Sequence, residues 1–197
     1  MEITAEKIMQ QLSAGTQVAG VIAVFGEEGY YKDKIAAALP RAVFGDAAPE
    51  DREITVFERD TDIKEISAAV NTYPFFSGRS LVIIKDEKLW GGKDGGEKRK
   101  QQQEELAELL SDVPEHCQVL LLGEKIDKRG KLYKSLLKTA AMVECKSLKS
   151  YQLKPWLDEQ AALRGCRFDY EASQTIMEYL SVTDNAPLLL LEQEIEK

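Results

Sequence analysis

The turn at residues 26–30 is the place in this chain where nucleotide chemistry would be expected. It follows the apolar run Val21–Phe25. After such a strand, an ATP-binding sheet carries a glycine-rich loop that ends in a Lys-Ser or Lys-Thr pair, which supplies a cation and a magnesium ligand. Here no lysine stands in that place, and two carboxylates would repel a polyphosphate. We therefore predict a degenerate phosphate loop, no cofactor and no ATP hydrolysis at Gly26, Glu27, Glu28 and Gly29.

Cysteine and histidine offer little further chemistry. His116 is the single histidine and lies beside Cys117, but neighbours on a strand point to opposite faces, so the two side chains should not meet. Without a Cys-x-x-Cys pair or a histidine cluster, we predict no metal site and no catalytic residue. Cys145 and Cys166 are predicted to be core or half-buried residues. Three distant cysteines and no secretory signal predict a reducing, cytoplasmic location.

Two adjacent aromatic residues, Phe75 and Phe76, follow Pro74 and precede Ser77 and Gly78. Neighbouring side chains diverge on a strand or in a short loop, so at least one ring is a candidate for exposure. An exposed apolar pair beside a turn is typical of a partner-binding site. The spacing equally fits a second interpretation, in which both rings fill a gap between a helix and a strand.

The charge balance bears on possible partners. The chain of 197 residues has 34 acidic and 26 basic residues, for a net charge of −8. Because affinity for nucleic acid depends on neutralised phosphates, the chain should not hold DNA unaided. One basic cluster is interpreted as a solvated face, and contact with DNA phosphates or an acidic partner is the alternative. It consists of Lys125, Lys128, Arg129, Lys131 and Lys134. No run approaches the roughly 20 apolar residues of a membrane span.

Alternating strands and helices predict an α/β fold with a mostly parallel five-stranded sheet and helices on both faces. The predicted strands are residues 21–25, 53–57, 80–84, 118–122 and 142–145. The predicted helices are residues 4–12, 30–39, 62–73, 97–110 and 131–138, with Pro40 ending the second of them. The glycine-rich and charged residues 90–100 predict a surface loop.

The character of the sequence changes after about Lys146. Three helices are predicted there, at residues 150–164, 169–180 and 184–197, and no strand follows. We therefore predict two domains, an α/β domain at 1–146 and a small helical domain at 147–197, with Tyr151 and Trp156 as packing residues. The last helix has no stop signal, and we expect the full protein to be longer.

The motifs in their order resemble the delta subunit of the bacterial DNA polymerase III clamp loader. They are VIAVFGEEGYYKDKI, TYPFFSGRSLVIIKD and VLLLGEKIDKRGKLYK, after an opening helix, and the likeness runs over essentially Met1–Lys197. The resemblance implies an AAA+-like (P-loop NTPase-like) first domain followed by a small helical lid. It also implies a third, collar domain used in pentamer assembly, which we expect to lie outside this chain.

The resemblance further implies a non-catalytic subunit that does not bind ATP. Such a subunit binds the sliding clamp (the beta subunit) through a hydrophobic pair held in an apolar pocket, and springs one clamp interface open. That pair corresponds to Phe75 and Phe76, where other members have a leucine first, and Tyr73, Pro74 and Arg79 flank it.

Other implied partners are the tau/gamma and delta-prime subunits, and primed DNA through the assembled complex. No membrane partner is expected. Two alternatives stay open, an active ATPase of the same broad fold and a free-standing DNA-binding module.

Overall fold

The computed structural model describes residues 1–16, 18–58, 61–85, 96–182 and 188–196. The chain divides into two compact units. The first comprises Met1–Glu27 and Tyr31–Cys145, and the second comprises Glu28–Tyr30 and Lys146–Lys197. No helix in these described ranges is long and apolar enough to cross a bilayer.

A five-stranded parallel sheet forms the centre of the first unit, which confirms the predicted fold class. Its strands are β1 (Val21–Phe25), β2 (Glu53–Phe57), β3 (Ser80–Ile84), β4 (Cys117–Gly123) and β5 (Ala141–Glu144). Their order in the sheet is β2-β3-β4-β1-β5, and every neighbouring pair is parallel. Every residue of β1 and β3 is buried, as expected for central strands that are covered on both faces.

In the described part of the first unit, α-helices accompany these strands along the chain. They are α1 (Ala5–Ser13), α2 (Gly29–Phe44), α3 (Ile63–Asn71), α4 (Glu97–Leu109) and α5 (Lys131–Thr139), and a 3-10 turn spans Pro49–Asp51. Side-chain oxygens of Thr4 and Asp62 cap α1 and α3 by accepting from the backbone N–H groups of Lys7 and Lys64. Of the predicted loop at residues 90–100, residues 90–95 lie outside the described residues, and α4 begins at Glu97.

The main apolar cluster packs one face of the sheet against helices. Val21, Ala23 and Phe25 of β1 belong to it, together with buried residues of β3, β4, α3, α4 and α5. The alternate residues of β1, Ile22 and Val24, are fully buried as well. Since successive side chains point to opposite faces, both faces of the sheet are covered. β2 differs because it is an outermost strand of the sheet, with a neighbour on one side only, and Ile54 and Val56 remain partly exposed there.

The prediction that Pro40 ends the second helix is wrong. Proline removes one backbone hydrogen bond from a helix interior, yet α2 continues through Pro40 to Phe44. Val43 and Phe44, which follow the proline, are both buried. Their burial outweighs the missing hydrogen bond, and the sequence pattern alone did not reveal this tertiary effect.

The parallel sheet separates two connections of functional interest. The segment that precedes a strand lies at the amino edge of the sheet, and the turn that follows a strand lies at the carboxyl edge. Residues 72–79 precede β3 and therefore lie at the amino edge, whereas Gly26 follows β1 and lies at the carboxyl edge. The aromatic pair and the degenerate turn thus stand at opposite edges of the sheet.

The second unit contains three helices in its described part, α6 (Ser150–Leu163), α7 (Tyr170–Val182) and α8 (Leu188–Ile195). Leu153, Leu157, Leu188 and Leu191 are buried in it. Of the predicted helix at 184–197, the described part is α8, and residues 184–187 and 197 lie outside the described residues. Two expectations are wrong, since Tyr151 and Cys166 are exposed. Both belong to the second unit, whose small core does not reach them.

A buried polar cluster joins parts of this unit that are distant in sequence. The Tyr30 hydroxyl donates to Glu192 Oε1 at 2.9 Å, and Arg164 donates to the same oxygen at 2.9 Å. Trp156, buried as expected, meets the Tyr30 ring edge-on with centroids 5.5 Å apart. Burial, followed by the hydrogen bond to Glu192, raises the pKa of Tyr30 well above its ordinary value. Tyr30 is therefore a neutral packing residue of the second unit.

Candidate functional site

Among the described aromatic residues of the sheet unit, the most exposed lie in the aromatic tip, which we define as residues 73–79 between α3 and β3. The side chains of Phe75 and Phe76 are 87% and 68% exposed. Their rings meet edge-on, with centroids 5.1 Å apart and planes at 78°. The alternative in which both rings fill an interior gap is therefore wrong. Two aromatic rings in water form an apolar surface that a partner can bury.

Local backbone features bring the chain into the aromatic tip. α3 ends when the Thr72 N–H donates to Ala68 O at 2.9 Å. Pro74 is buried directly before the two exposed rings. Gly78 then adopts φ +66°, a left-handed conformation that favours glycine. After α3 ends, the chain is therefore held by the buried Pro74 and turns at Gly78 into β3.

A carboxylate from the neighbouring strand contacts the same backbone. Glu53, the first residue of β2, accepts through Oε1 from the backbone N–H groups of both Phe75 and Phe76. Sequence reasoning missed Glu53, because it lies 22 residues before Phe75. Only the parallel register, in which Glu53 pairs with Ser80, places the two together.

The flanking residues predicted from the family resemblance lie around these rings. Tyr73 is largely exposed, and its ring is tilted by 59° against the His116 ring, with centroids 5.1 Å apart. Arg79 is exposed at the other end of the aromatic tip, and its carbonyl accepts from Ser77 Oγ at 2.7 Å. Tyr73, Phe75, Phe76 and Arg79 are thus exposed in one segment, in which Pro74 is buried.

The degenerate turn at residues 26–30 holds its polar groups internally. Glu28 is buried, and its Oε1 accepts from the backbone N–H of Tyr30 at 2.9 Å, at the start of α2. A helix N-terminus in this position is where a phosphate would bind. Lys32, the first lysine after the turn, donates to the Gly26 carbonyl at 2.7 Å. A carboxylate therefore meets the helix N-terminus, and a lysine is held by the turn itself.

Packing in the first unit explains the glycine that opens the turn. Gly26 has φ +130°, and a Cβ at this position would lie 2.0 Å from the backbone oxygen of Cys145. The Cys145 N–H in turn donates to the Phe25 carbonyl at 2.7 Å. Gly26 is thus required by the close approach of two backbone segments, which is a structural reason for a glycine without any phosphate.

The interpretation of Glu28 as a helix cap gives a testable result. Glu28→Ala should lower the free energy of unfolding by about 1 kcal/mol, the usual effect of removing an N-cap side chain. Its exposed neighbour Glu27 provides the matched control, and Glu27→Ala should leave the unfolding midpoint unchanged. Thermal unfolding followed by circular dichroism measures both variants. Equal destabilisation by the two substitutions would contradict the capping role.

Cysteine nucleophile chemistry finds no support at Cys117 and its sequence neighbour His116. Cys117 is buried in the main apolar cluster, whereas His116 packs against the Tyr73 ring. Burial raises the pKa of the Cys117 thiol, so the thiolate that a nucleophile requires is disfavoured. Within the described ranges, no three His, Cys, Asp or Glu side chains are grouped so that they could hold a metal ion.

The basic cluster is partly neutralised by nearby carboxylates. Lys128 lies 2.7 Å from Glu144 Oε1, and Lys131 lies 2.7 Å from Glu104 Oε1. The hydrogen bond to Glu144 raises the pKa of Lys128. Two of the five cations that the sequence groups together are therefore paired within the chain, which agrees with a solvated face better than with a phosphate-binding surface.

Comparisons with known proteins agree with one another. A family model described as "DNA polymerase III, delta subunit" matches residues 25–146. The DNA polymerase III subunit delta of Bacillus subtilis (strain 168) is 28% identical over 184 residues, which cover 92% of this chain and 52% of that protein. The solved structure of the Bacillus subtilis DNA clamp loader delta protein superposes with a TM-score of 0.76 at 25% identity, covering 98% of this chain and 56% of that one. The chain spans about half the length of the relatives it matches.

Proposed function

Because this chain belongs to the DNA polymerase III delta subunit family, we propose that it binds a sliding clamp through its aromatic tip and helps to open the ring. The matched Bacillus subtilis structure is that of a DNA clamp loader delta protein, which indicates the kind of partner. The chain then acts in DNA replication as a binding subunit and performs no chemistry of its own.

The observation that carries the proposal is the exposure of both rings on an anchored segment. A solvent-exposed Phe75–Phe76 pair loses contact area with water when an apolar pocket closes over it. Burial of one aromatic side chain contributes roughly 1.5–3 kcal/mol. Two such side chains in one pocket have the character of an interface hot spot, which depends on a few buried aromatic anchors.

Ring opening follows from differential binding. A ligand shifts an equilibrium between a closed and an open clamp only as far as it binds the open form more tightly. The aromatic tip supplies the binding energy, and any preference for the open form has to come from a pocket that fits the rings better once the clamp interface has moved. No ATP is required of this chain for that step.

The turn at residues 26–30 supports a non-catalytic role. The carboxylate of Glu28 lies at the N-terminus of α2, and Lys32 is bonded to Gly26. A triphosphate there would meet a buried negative charge in place of a lysine. These contacts favour a binding subunit over the alternative of an active ATPase.

A clamp titration tests the proposal. The chain is titrated against the clamp of its own organism by isothermal calorimetry, and a pair of fluorophores across one clamp interface reports opening. We expect saturable binding without nucleotide and a change in the fluorophore distance at saturation. The proposal would be overturned if no binding were detected at concentrations up to about 100 µM. Any binding would then be weaker than about 5–6 kcal/mol in free energy.

A further inference from the structure

The backbone of the aromatic tip is held by a single carboxylate oxygen. Glu53 Oε1 accepts from the N–H of Phe75 at 2.5 Å and from the N–H of Phe76 at 2.9 Å. In extended chain, successive N–H groups point to opposite sides. Two successive N–H groups that converge on one acceptor therefore fix the backbone between them in a turned conformation, as in the anion-binding concavities that consecutive amides form.

The carboxylate itself is held by the sheet. Glu53 is the first residue of β2, and its backbone pairs with Ser80, the first residue of β3. The Ser80 N–H donates to the carbonyl of His116, the residue before β4, at 2.8 Å. The start of β3 is therefore hydrogen-bonded to the start of β4 as well as paired with β2. Glu53 is half-buried there, and its side chain extends from the paired strand to the adjacent loop. The acceptor belongs to the scaffold, whereas the two donors belong to the aromatic tip.

We propose that Glu53 is a positioning residue that sets the aromatic tip in its binding conformation before the partner arrives. This inference rests on the proposed function, since it concerns how the same two rings engage an apolar pocket. Hydrogen bonds to a carboxylate are stronger than those between neutral groups. With Glu53 in place, a large fraction of the free molecules already present Phe75 and Phe76 as the pocket requires. Without it the rings are still exposed, but the competent fraction falls and the apparent affinity falls in proportion.

Three substitutions separate positioning from charge. Glu53→Ala removes the acceptor, and Glu53→Gln keeps an oxygen acceptor without the charge. The control Glu50→Ala removes one negative charge from an exposed residue of the 3-10 turn that precedes β2. Long-range electrostatics would treat Glu50 and Glu53 alike, whereas the contact with the Phe75 and Phe76 amides is particular to Glu53.

Two measurements on the whole chain decide the question. Amide hydrogen exchange by NMR at residues 75 and 76 reports the restraint without any clamp, and calorimetry reports the clamp affinity. We expect Glu53→Ala to speed exchange of both amides about tenfold and to weaken clamp binding about tenfold, Glu53→Gln to fall between, and Glu50→Ala to match the parent.

The outcomes are distinguishable from failure of the proposed function. Unchanged exchange in Glu53→Ala overturns the positioning role, and so does faster exchange with parental clamp affinity. A parent chain that does not bind the clamp overturns the proposed function and this inference together. A tenfold loss in Glu50→Ala as well as in Glu53→Ala would show a charge effect, which also rejects positioning by Glu53.

Discussion

Replacing Phe75 and Phe76 together with alanine should abolish measurable clamp binding and leave the fold intact. The two rings contribute roughly 1.5–3 kcal/mol each when buried, so the double variant loses about 3–6 kcal/mol, or about two to four orders of magnitude in affinity. Both rings are largely exposed in the free chain, and substitutions at such positions change stability by about 0.5 kcal/mol or less. Calorimetric titration gives the affinity, and the thermal unfolding midpoint gives the stability.

Two controls give this result its meaning. Tyr151→Ala removes an aromatic residue of comparable exposure from the helical unit, and it should bind the clamp as the parent does. Phe75→Leu keeps an apolar side chain at the first position of the pair, so it should retain most of the affinity. Parental binding by the double alanine variant would locate the clamp contact elsewhere. A similar loss of clamp affinity in Tyr151→Ala would show that any exposed aromatic residue contributes to binding, and that the aromatic tip is not a specific site.

Gly26→Ala should be the most destabilising single change considered for the first unit. A Cβ at Gly26 would stand 2.0 Å from Cys145 O and 2.6 Å from Cys145 C, both of them backbone atoms that cannot rotate away. The residue also has φ +130°, which L side chains rarely adopt. Backbone strain and overpacking each contribute about 1–3 kcal/mol. We therefore expect the free energy of unfolding to fall by about 2–6 kcal/mol, measured by chemical unfolding.

Gly29→Ala is the matched control for that prediction. Gly29 lies in the same turn, at the first residue of α2, and a Cβ there would meet nothing within 4 Å. Alanine favours a helix over glycine by about 1 kcal/mol, so this variant should be at least as stable as the parent. Equal destabilisation by both variants would mean that the turn is sensitive to any side chain, and that the approach to Cys145 is not the cause.

The buried strands β1 and β3 could be predicted from the sequence because they form short apolar runs, and the edge strand β2 because Ile54 and Val56 alternate with polar residues. The predicted and observed limits of the first three strands coincide, at Val21–Phe25, Glu53–Phe57 and Ser80–Ile84. The end of α2 could not be predicted in this way. Local propensity stops a helix at Pro40, but burial of Val43 and Phe44 carries it further.

The candidate site was only partly predictable for the same reason. The pair Phe75–Phe76 stands out locally by composition, but its exposure depends on what surrounds it. Glu53 gave no local signal, and Glu28 stood out as a carboxylate that would repel phosphate but not as a helix cap. The contact of Glu53 requires the register between β2 and β3, and glutamate is not among the residues that commonly cap helices, so the role of Glu28 appears only in the folded chain.

The separation of the aromatic tip from the degenerate turn offers a practical route to labelling this protein. Each strand between the two sheet edges has about five residues, and at about 3.3 Å per residue the edges stand about 16 Å apart. Glu27 is exposed at the carboxyl edge, so Glu27→Cys would accept a fluorescent dye far from Phe75 and Phe76. Cys166 is the exposed native thiol and would first be replaced by serine, whereas Cys117 and Cys145 are buried and can stay. A dye at this position would follow the proposed clamp binding without blocking the aromatic tip.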